Sequence, residues 1–305
     1  MSFSISVIIC AHNPKAEYLE RVLSALQGQT LEMHYWELLL IDNHSDAQLS
    51  SLFDISWHPH GKHICEEKLG LTQARLCGIE HSIGEILVFV DDDNVLEESY
   101  LEVVLEIEKK WKILGAWGGQ VKPEFEVVPP EWTRKYWPLL AIREFDHDSW
   151  SNLLHQNDTT PCGAGLCVRQ EVAKKYSELA VNDLKRKSLG RKGNLLTACE
   201  DTDFAFTACD IGLGTGQFTT LSLTHIIPKK RVEENYLLRL VEGIAYSGTI
   251  LAAIRGKFRS DSCLSQRIYD QYVYWRLEKR ERRFYAAKKK GVQMAISEIA
   301  QWNLV

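Results

Sequence analysis

Through its first ~120 residues the chain alternates short β-branched runs with longer stretches whose apolar positions recur every three or four residues. Ile5–Cys10 predicts a buried strand, and Lys15–Gln29 a helix carrying Leu19, Val22, Leu23 and Leu26 on one face. Trp36–Ile41 reads as a second strand and Gly70–Ile83 as the next helix. Ile86–Val90 reads as a third strand that runs straight into Asp91-Asp92-Asp93-Asn94. Glu97–Trp111 then predicts an acidic amphipathic helix. Strand and helix in this alternation are the pattern of a βαβ sheet.

From Gly115 the pattern changes. Gly115–Val121 predicts a strand, and it leads into a segment rich in Pro, Trp and Tyr from Pro123 to Pro138. Gly163–Val168 predicts another strand, with a helix from Gln170. Lys185–Asn194 is basic and aperiodic, with Gly190 and Gly193, and reads as a mobile loop. Asp201–Ile211 reads as a helix and Thr219–Thr224 as a last strand ending at His225. Beyond ~231 the pattern is one of long helices. The division expected is a catalytic domain over 1–230, its halves 1–120 and 121–230, followed by a helical region over 231–305.

Composition narrows the function classes. Hydrophobic residues are 45% and charged residues 25% of the chain, as in an ordinary folded protein. A formal net charge of −5 offers no general attraction to nucleic acid. Met1–Ser4 lacks the basic start of a secretory leader, and Ile5–Cys10 is too short for its apolar stretch. No run approaches ~18 uninterrupted apolar residues, so no spanning helix is expected. Cys10, Cys65, Cys77, Cys162, Cys167, Cys199, Cys209 and Cys263 contain no C-x-x-C pair, which argues for reduced, packed thiols in a cytoplasmic protein. One segment is strongly basic: Arg276–Lys290 holds eight Lys and Arg against Glu278 and Glu281. It suits a solvated helix face, a peripheral contact with the inner face of an anionic membrane, or a homodimer.

The carboxylate run carries the chemistry. Ligands of open α/β sheets bind beyond the carboxyl ends of the strands, where Asp91, Asp92 and Asp93 stand. Strand alternation would point Asp91 and Asp93 the same way, and a hard divalent cation relieves their mutual repulsion. Such an ion could bridge a substrate diphosphate. A solvated acidic turn with Asn94 as helix cap is the competing explanation. Asp42, at the end of the second strand, can accept an N–H from a base or shape its own turn. Arg75 can offer its guanidinium fork to a phosphate or to a neighbouring acid.

The run Phe89-Val90-Asp91-Asp92-Asp93-Asn94 resembles the DXD motif of family 2 glycosyltransferases. Six further segments follow in that family's order. Ser6 to Asn13 is similar to its first strand and nucleotide-contacting turn, placing Ala11, His12 and Asn13 at the nucleotide. Leu40 to Asp46 resembles its second strand, where Asp42 would read a base such as uracil. Gly70 to Arg75 resembles its helix start, and Gly163 to Arg169 the strand beside the donor sugar, with Gly163 and Ala164 in contact. Glu200-Asp201 matches the acidic pair that supplies the base, and His225 stands where such enzymes place a third metal ligand. The resemblance implies a GT-A fold, a Rossmann-like mixed α/β sheet, with a C-terminal helical extension. It also implies Asp91, Asp93 and His225 on Mn²⁺ or Mg²⁺, with Asp91, Asp92 and Arg75 near the donor. Asp201 would be the general base and Glu200 its support, in an inverting transfer from a UDP-sugar to a glycan or lipid-linked acceptor. Two departures stand out: Gly165 replaces an Asn common in relatives, and His12 replaces an aromatic residue.

Other features have plainer explanations. Gly212, Gly214 and Gly216 follow a helix and precede a strand, the reverse of a phosphate loop, and read as a helix cap and turn. Asp203 reads as a first-turn acid at a helix N-terminus. Trp117-Gly118-Gly119 would flank the sugar pocket or simply pack, and Trp132, Tyr136 and Trp137 would stack on an acceptor or form a lid's own core. A sugar-phosphate nucleotidyltransferase would need a glycine-rich loop where the chain has Ala11-His12-Asn13-Pro14-Lys15. A non-catalytic sugar-nucleotide or glycan-binding protein would be expected to lack Asp93 or Asp201.

Overall fold

β1 (Phe3–Ala11) is apolar without interruption because both of its faces are covered. Ile5, Val7 and Ile9 meet Leu19, Val22 and Leu26 of α1 (Ala16–Gln27), while Ile8 meets Ala74 and Cys77 of α3 (Leu71–His81) on the opposite side. The computed structural model describes residues 3–154, 156–187, 189–191, 196–258 and 271–302. β1 pairs in parallel with β2 (Trp36–Asp42) and β4 (Gly84–Asp91), and β2 pairs in parallel with β3 (Gly61–Cys65). A short helix, α2 (Leu49–Leu52), lies between β2 and β3.

The second half adds antiparallel pairing. β4 is followed by β5 (Asn94–Leu96), α4 (Tyr100–Lys110), β6 (Leu114–Phe125) and β7 (Ser149–Ser151). β8 (Leu166–Arg169), α5 (Gln170–Asn182), α6 (Leu184–Lys187), α7 (Glu200–Asp210) and β9 (Gly214–Ile227) come next. Among the described residues the sheet has nine strands in the order β3-β2-β1-β4-β8-β6-β9-β5, with β7 also on β9. This is the mixed α/β sheet of the GT-A type, with α1 and α4 on one face and α3, α5 and α7 on the other.

Two long helices among the described residues beyond β9 are α8 (Glu234–Ile254) and α9 (Lys279–Trp302). They pack closely because Gly291 leaves no side chain against the Glu242 backbone, where a Cβ would come within 2.1 Å of the carbonyl oxygen. α8 is long and apolar enough to cross a bilayer by composition, with a mean hydropathy of 1.5, a feature interrupted apolar runs had hidden. Here Leu237, Leu240, Ile250 and Leu251 are buried against the rest of the fold.

Several boundaries differ from the sequence expectation. β3 and β5 escaped notice because they are short and carry Gly, His and Asn. β9 is 14 residues long rather than a short final strand, so Gly214 and Gly216 lie in it, and only Gly212, at φ 86°, makes the turn. The expected loop 185–194 contains the end of α6 and a buried Leu189, while residues 188 and 192–194 lie outside the described residues, as does Cys263.

Candidate active site

The antiparallel pairing of β5 with the distant β9 assembles the first part of the site. Asp91 ends β4, and three residues later β5 pairs antiparallel with β9 in a register that sets Asn94 opposite His225. The Ile226 N–H donates to the Asp93 carbonyl at 2.9 Å, fixing the backbone. Asp93 Oδ2 therefore lies 3.5 Å from His225 Nε2, although the two residues are far apart in sequence. Burial pushes the Asp93 carboxyl up, but the neighbouring His225 and the charge of Arg231 outweigh that and hold it down at about 2. Asp92 behaves oppositely: burial and the charges of Asp93 and Asp91 raise it to about 7.

Arg231 is the part the sequence reading missed. It sits in a 3-10 turn, Lys229–Val232, just past the boundary drawn at 230, yet its side chain points back into the site. Nη2 is 3.0 Å from Asp93 Oδ2, and Nη1 donates to His225 Nε2 at 2.9 Å. A guanidinium can only donate, so His225 Nε2 is the acceptor in that contact. His225 Nδ1 is buried without a hydrogen-bond partner. The only hint in the sequence was a cluster of Lys and Arg, Lys229 to Arg231, four to six residues beyond His225.

Asp91 is turned elsewhere. Its Oδ1 lies 3.5 Å from Arg75 Nη2, and burial raises its carboxyl against the opposing charge of Arg75. Arg75 is itself buried, and Nη1 bonds Glu200 Oε2 at 2.5 Å. Burial disfavours the Arg75 charge, yet Glu200, Asp91 and Asp201 raise its pKa overall. The guanidinium is thus engaged by acids rather than presented to a phosphate: α3 turns Arg75 inward under the sheet ends. Glu200, held by Arg75 and by Tyr176 Oη at 3.3 Å, supports the pocket floor and does not face the cleft. Tyr176 stacks on Phe204 with centroids 4.3 Å apart.

Asp201 lies at the start of α7, where it is half-buried. Its Oδ2 accepts the Gly163 N–H and its Oδ1 the Thr202 N–H, each at 2.7 Å. The adjacent Cys199 adopts φ 120°, a conformation L-residues rarely hold, which sends Glu200 inward while Asp201 stays at the surface of the pocket. The Ala198 N–H donates to Ser247 of α8, so α8 braces this corner. Gly163 is required by space, since a Cβ there would lie 2.8 Å from Arg75 Nη2 and 3.2 Å from Asp201 Oδ2. Ala164 is buried beside it, and Gly165 takes φ 69° directly over Tyr100, whose hydroxyl donates to the Gly165 carbonyl.

The nucleotide-side residues gather at the ends of β1 and β2. His12 Nδ1 lies 2.9 Å from the Asn43 carbonyl oxygen, and Asn13 bonds Ser45 and Asp46. Asp42 accepts from the Ser45 and Leu49 N–H groups at 3.0 and 2.9 Å; burial opposes but these bonds lower its pKa. Both oxygens therefore shape the turn, and a base contact would need their remaining lone pairs. Asp203 is bound by Arg186 and Arg255 at 2.6 and 2.7 Å, tying α7 to α6 and α8 rather than acting as a simple first-turn charge. Tyr136 stacks on Phe284 at 4.1 Å and Arg280 lies over Trp132, so the aromatic segment packs on α9.

The family model described as Glycosyl transferase family 2 matches residues 6–177, more than half of the chain. The chain belongs to glycosyl transferase family 2. This family 2 chain is 34% identical over 101 residues to glycosyltransferase AglE of Haloferax volcanii, covering 32% of the chain and 33% of that protein. It is 31% identical over 106 residues to polypeptide N-acetylgalactosaminyltransferase 8 of Drosophila melanogaster, covering 33% and 18%. It is 27% identical over 174 residues to the inactive polypeptide N-acetylgalactosaminyltransferase-like protein 5 of Macaca fascicularis, covering 54% and 38%. The family 2 chain thus spans well under half the length of these curated relatives. Among solved structures it resembles S. aureus TarS 1-349 in complex with UDP-GlcNAc, with a TM-score of 0.53 and 14% identity over 100% of this chain and 92% of that one. Identity that low speaks for the fold alone.

The metal question turns on these donors. Among the described residues no group of three or more His, Cys, Asp or Glu is placed to hold an ion. Asp93 Oδ2 and the Nε2 lone pair of His225 do converge. A carboxylate with an imidazole fits Mn²⁺ or Mg²⁺ when a diphosphate and water complete the shell. Asp91, engaged by Arg75, is not part of that pair.

Proposed function

We propose that this chain transfers a sugar from a nucleoside-diphosphate sugar, a UDP-sugar, to a hydroxyl of a saccharide or lipid-linked acceptor. The observation that carries this is the pairing of two separate acidic stations beyond the sheet's carboxyl ends. Asp93 with His225 forms one, and Asp201, held by Gly163, forms the other. Asp93 and His225 would hold the divalent cation, which when bound neutralises charge on the diphosphate. Asp201 accepts the acceptor's proton as its oxygen bonds the anomeric carbon. The bond from that carbon to the phosphate oxygen breaks, and UDP leaves. Membership of family 2 implies a single displacement, which needs one base and inverts the anomeric centre. Uracil as the base is supported by a protein of the same fold whose structure holds UDP-GlcNAc. A peripheral membrane contact through α9 suits a lipid-linked acceptor, as argued from its charge. The test is release of free UDP from a panel of UDP-sugars with Mn²⁺. Release abolished by EDTA supports the reading. Tight UDP-sugar binding with no release from any donor would instead make the chain a binding protein.

A further inference from the structure

Arg231 has no part in the reaction just described, yet it occupies both atoms assigned to the cation: Asp93 Oδ2 at 3.0 Å and His225 Nε2 at 2.9 Å. We infer that Arg231 is a positioning residue that guards the cation site in the nucleotide-free protein and leaves it for the diphosphate of the incoming donor. This rests on the reading of Asp93 and His225 as cation ligands.

Occupancy by the guanidinium and by a divalent ion is mutually exclusive. Each needs the same imidazole lone pair and the same carboxylate oxygen, and two positive charges that close repel strongly. The guanidinium does for the free protein what the ion would do later. It offsets the charge of Asp93 beside Asp92 and Asp91, and its bond to Nε2 holds the imidazole facing Asp93. Removing this charge would leave the buried Asp93 beside Asp92 and Asp91 with less positive charge against it.

The backbone under Arg231 is fixed, and its long side chain reaches the site from the rim. Its N–H donates to the Pro228 carbonyl at 2.9 Å, and Val232 is buried beside it. The side chain keeps 18% of its surface exposed, so it lies at the rim of the site rather than sealed beneath it. A long side chain on a pinned turn can exchange one anionic partner for another. Displaced by the cation, its planar fork suits two oxygens of a diphosphate. A purely structural ion pair would behave differently, because its loss would leave Asp93 and His225 misplaced and weaken cation binding.

The experiment measures Mn²⁺ binding without nucleotide, from the EPR signal of free Mn²⁺, for wild type, Arg231→Gln and Arg231→Lys, with thermal melts to confirm folding. Arg231→Gln should bind Mn²⁺ on the order of tenfold tighter than wild type. It should also bind UDP on the order of tenfold more weakly in metal-free buffer, where the fork is missed. Arg231→Lys keeps the charge but cannot span both atoms, and should fall between the two. Equal or weaker Mn²⁺ binding by Arg231→Gln overturns the guarding role while leaving the cation site intact. If wild type and both variants all fail to bind Mn²⁺, with or without UDP, the cation site itself falls and this inference falls with it.

Discussion

Arg75 and Glu200 form a buried ion pair at the floor of the site, with Asp91 and Tyr176 as flanking partners. Removing one member leaves the other charged and unpaired in a medium that solvates it poorly. Arg75→Met should therefore destabilise the fold by about 3–5 kcal/mol, and Arg75→Met with Glu200→Gln should recover much of that loss. Urea denaturation of the single and double variants checks this. A double variant as unstable as the single one would mean that packing, not charge, holds the floor. The acids of the site were legible in the sequence because three consecutive Asp after an apolar strand have little structural reason to be there. Directions were not. Helical spacing locates Arg75 on α3 but does not say that Glu200, 125 residues away, would face it. Asp42 was readable as a strand-end acid, yet its engagement with Ser45 and Leu49 depends on the path of the following turn.

At the level of elements, strands with Val, Ile and Leu in unbroken runs were found, and strands without them were not. β3 contains Gly61, His63 and Cys65, and β5 has three residues; both exist because a neighbouring strand accepts their backbone groups. β5 matters most, since its pairing with β9 carries Asp93 to His225. Ahead of β3, His58 is 2% exposed, packs on Trp36 and accepts the His60 N–H through Nδ1. Burial lowers its pKa to about 4, His60 adds to the shift and Glu37 opposes it. The folded chain thus keeps His58 neutral where the unfolded chain takes up a proton near 6.5. Its contribution is present above pH 6.5 and is lost as pH falls toward 4, on the order of 2–3 kcal/mol. Asn at this position can accept the same N–H without titrating. His58→Asn should flatten the fall in stability between pH 6.5 and 4 by about one proton's worth of slope, measured by denaturant titration at several pH values. An unchanged slope would remove His58 as its source. Gly165 offers a second test: at φ 69°, with a Cβ that would lie 2.3 Å from the Tyr100 hydroxyl, Gly165→Ala should lower stability by about 2 kcal/mol, read from its thermal melt.

Across the whole molecule, charge is unevenly placed. The chain carries −5, while the stretch 276–290 is strongly basic. Arg280 and Arg283 are paired with Glu234, but Arg276 and Arg282 lie over Tyr272, Tyr274 and Trp275, and Trp275 is 66% exposed. Basic and amphipathic aromatic groups together suit an anionic bilayer surface. Vesicles with phosphatidylglycerol should sediment the protein, neutral phosphatidylcholine vesicles should not, and Trp275→Ser with Arg276→Gln should weaken the effect several-fold. Equal binding to both vesicle types would contradict an electrostatic contact. The boundary drawn at 230 shows why whole-molecule organisation was harder to read than the fold: helical periodicity begins there, but Arg231 and Ser247 beyond it serve the site before it. The central claim is that donor binding and proton removal are performed by different residues. Its most direct test is Asp201→Asn, with UDP affinity in Mn²⁺ and UDP-sugar turnover measured on the same preparation. Affinity within about twofold of wild type and turnover lower by ~10²–10⁴-fold is the expected result. Turnover that survives the substitution would contradict it, as would a loss of UDP affinity that accounts for the whole effect.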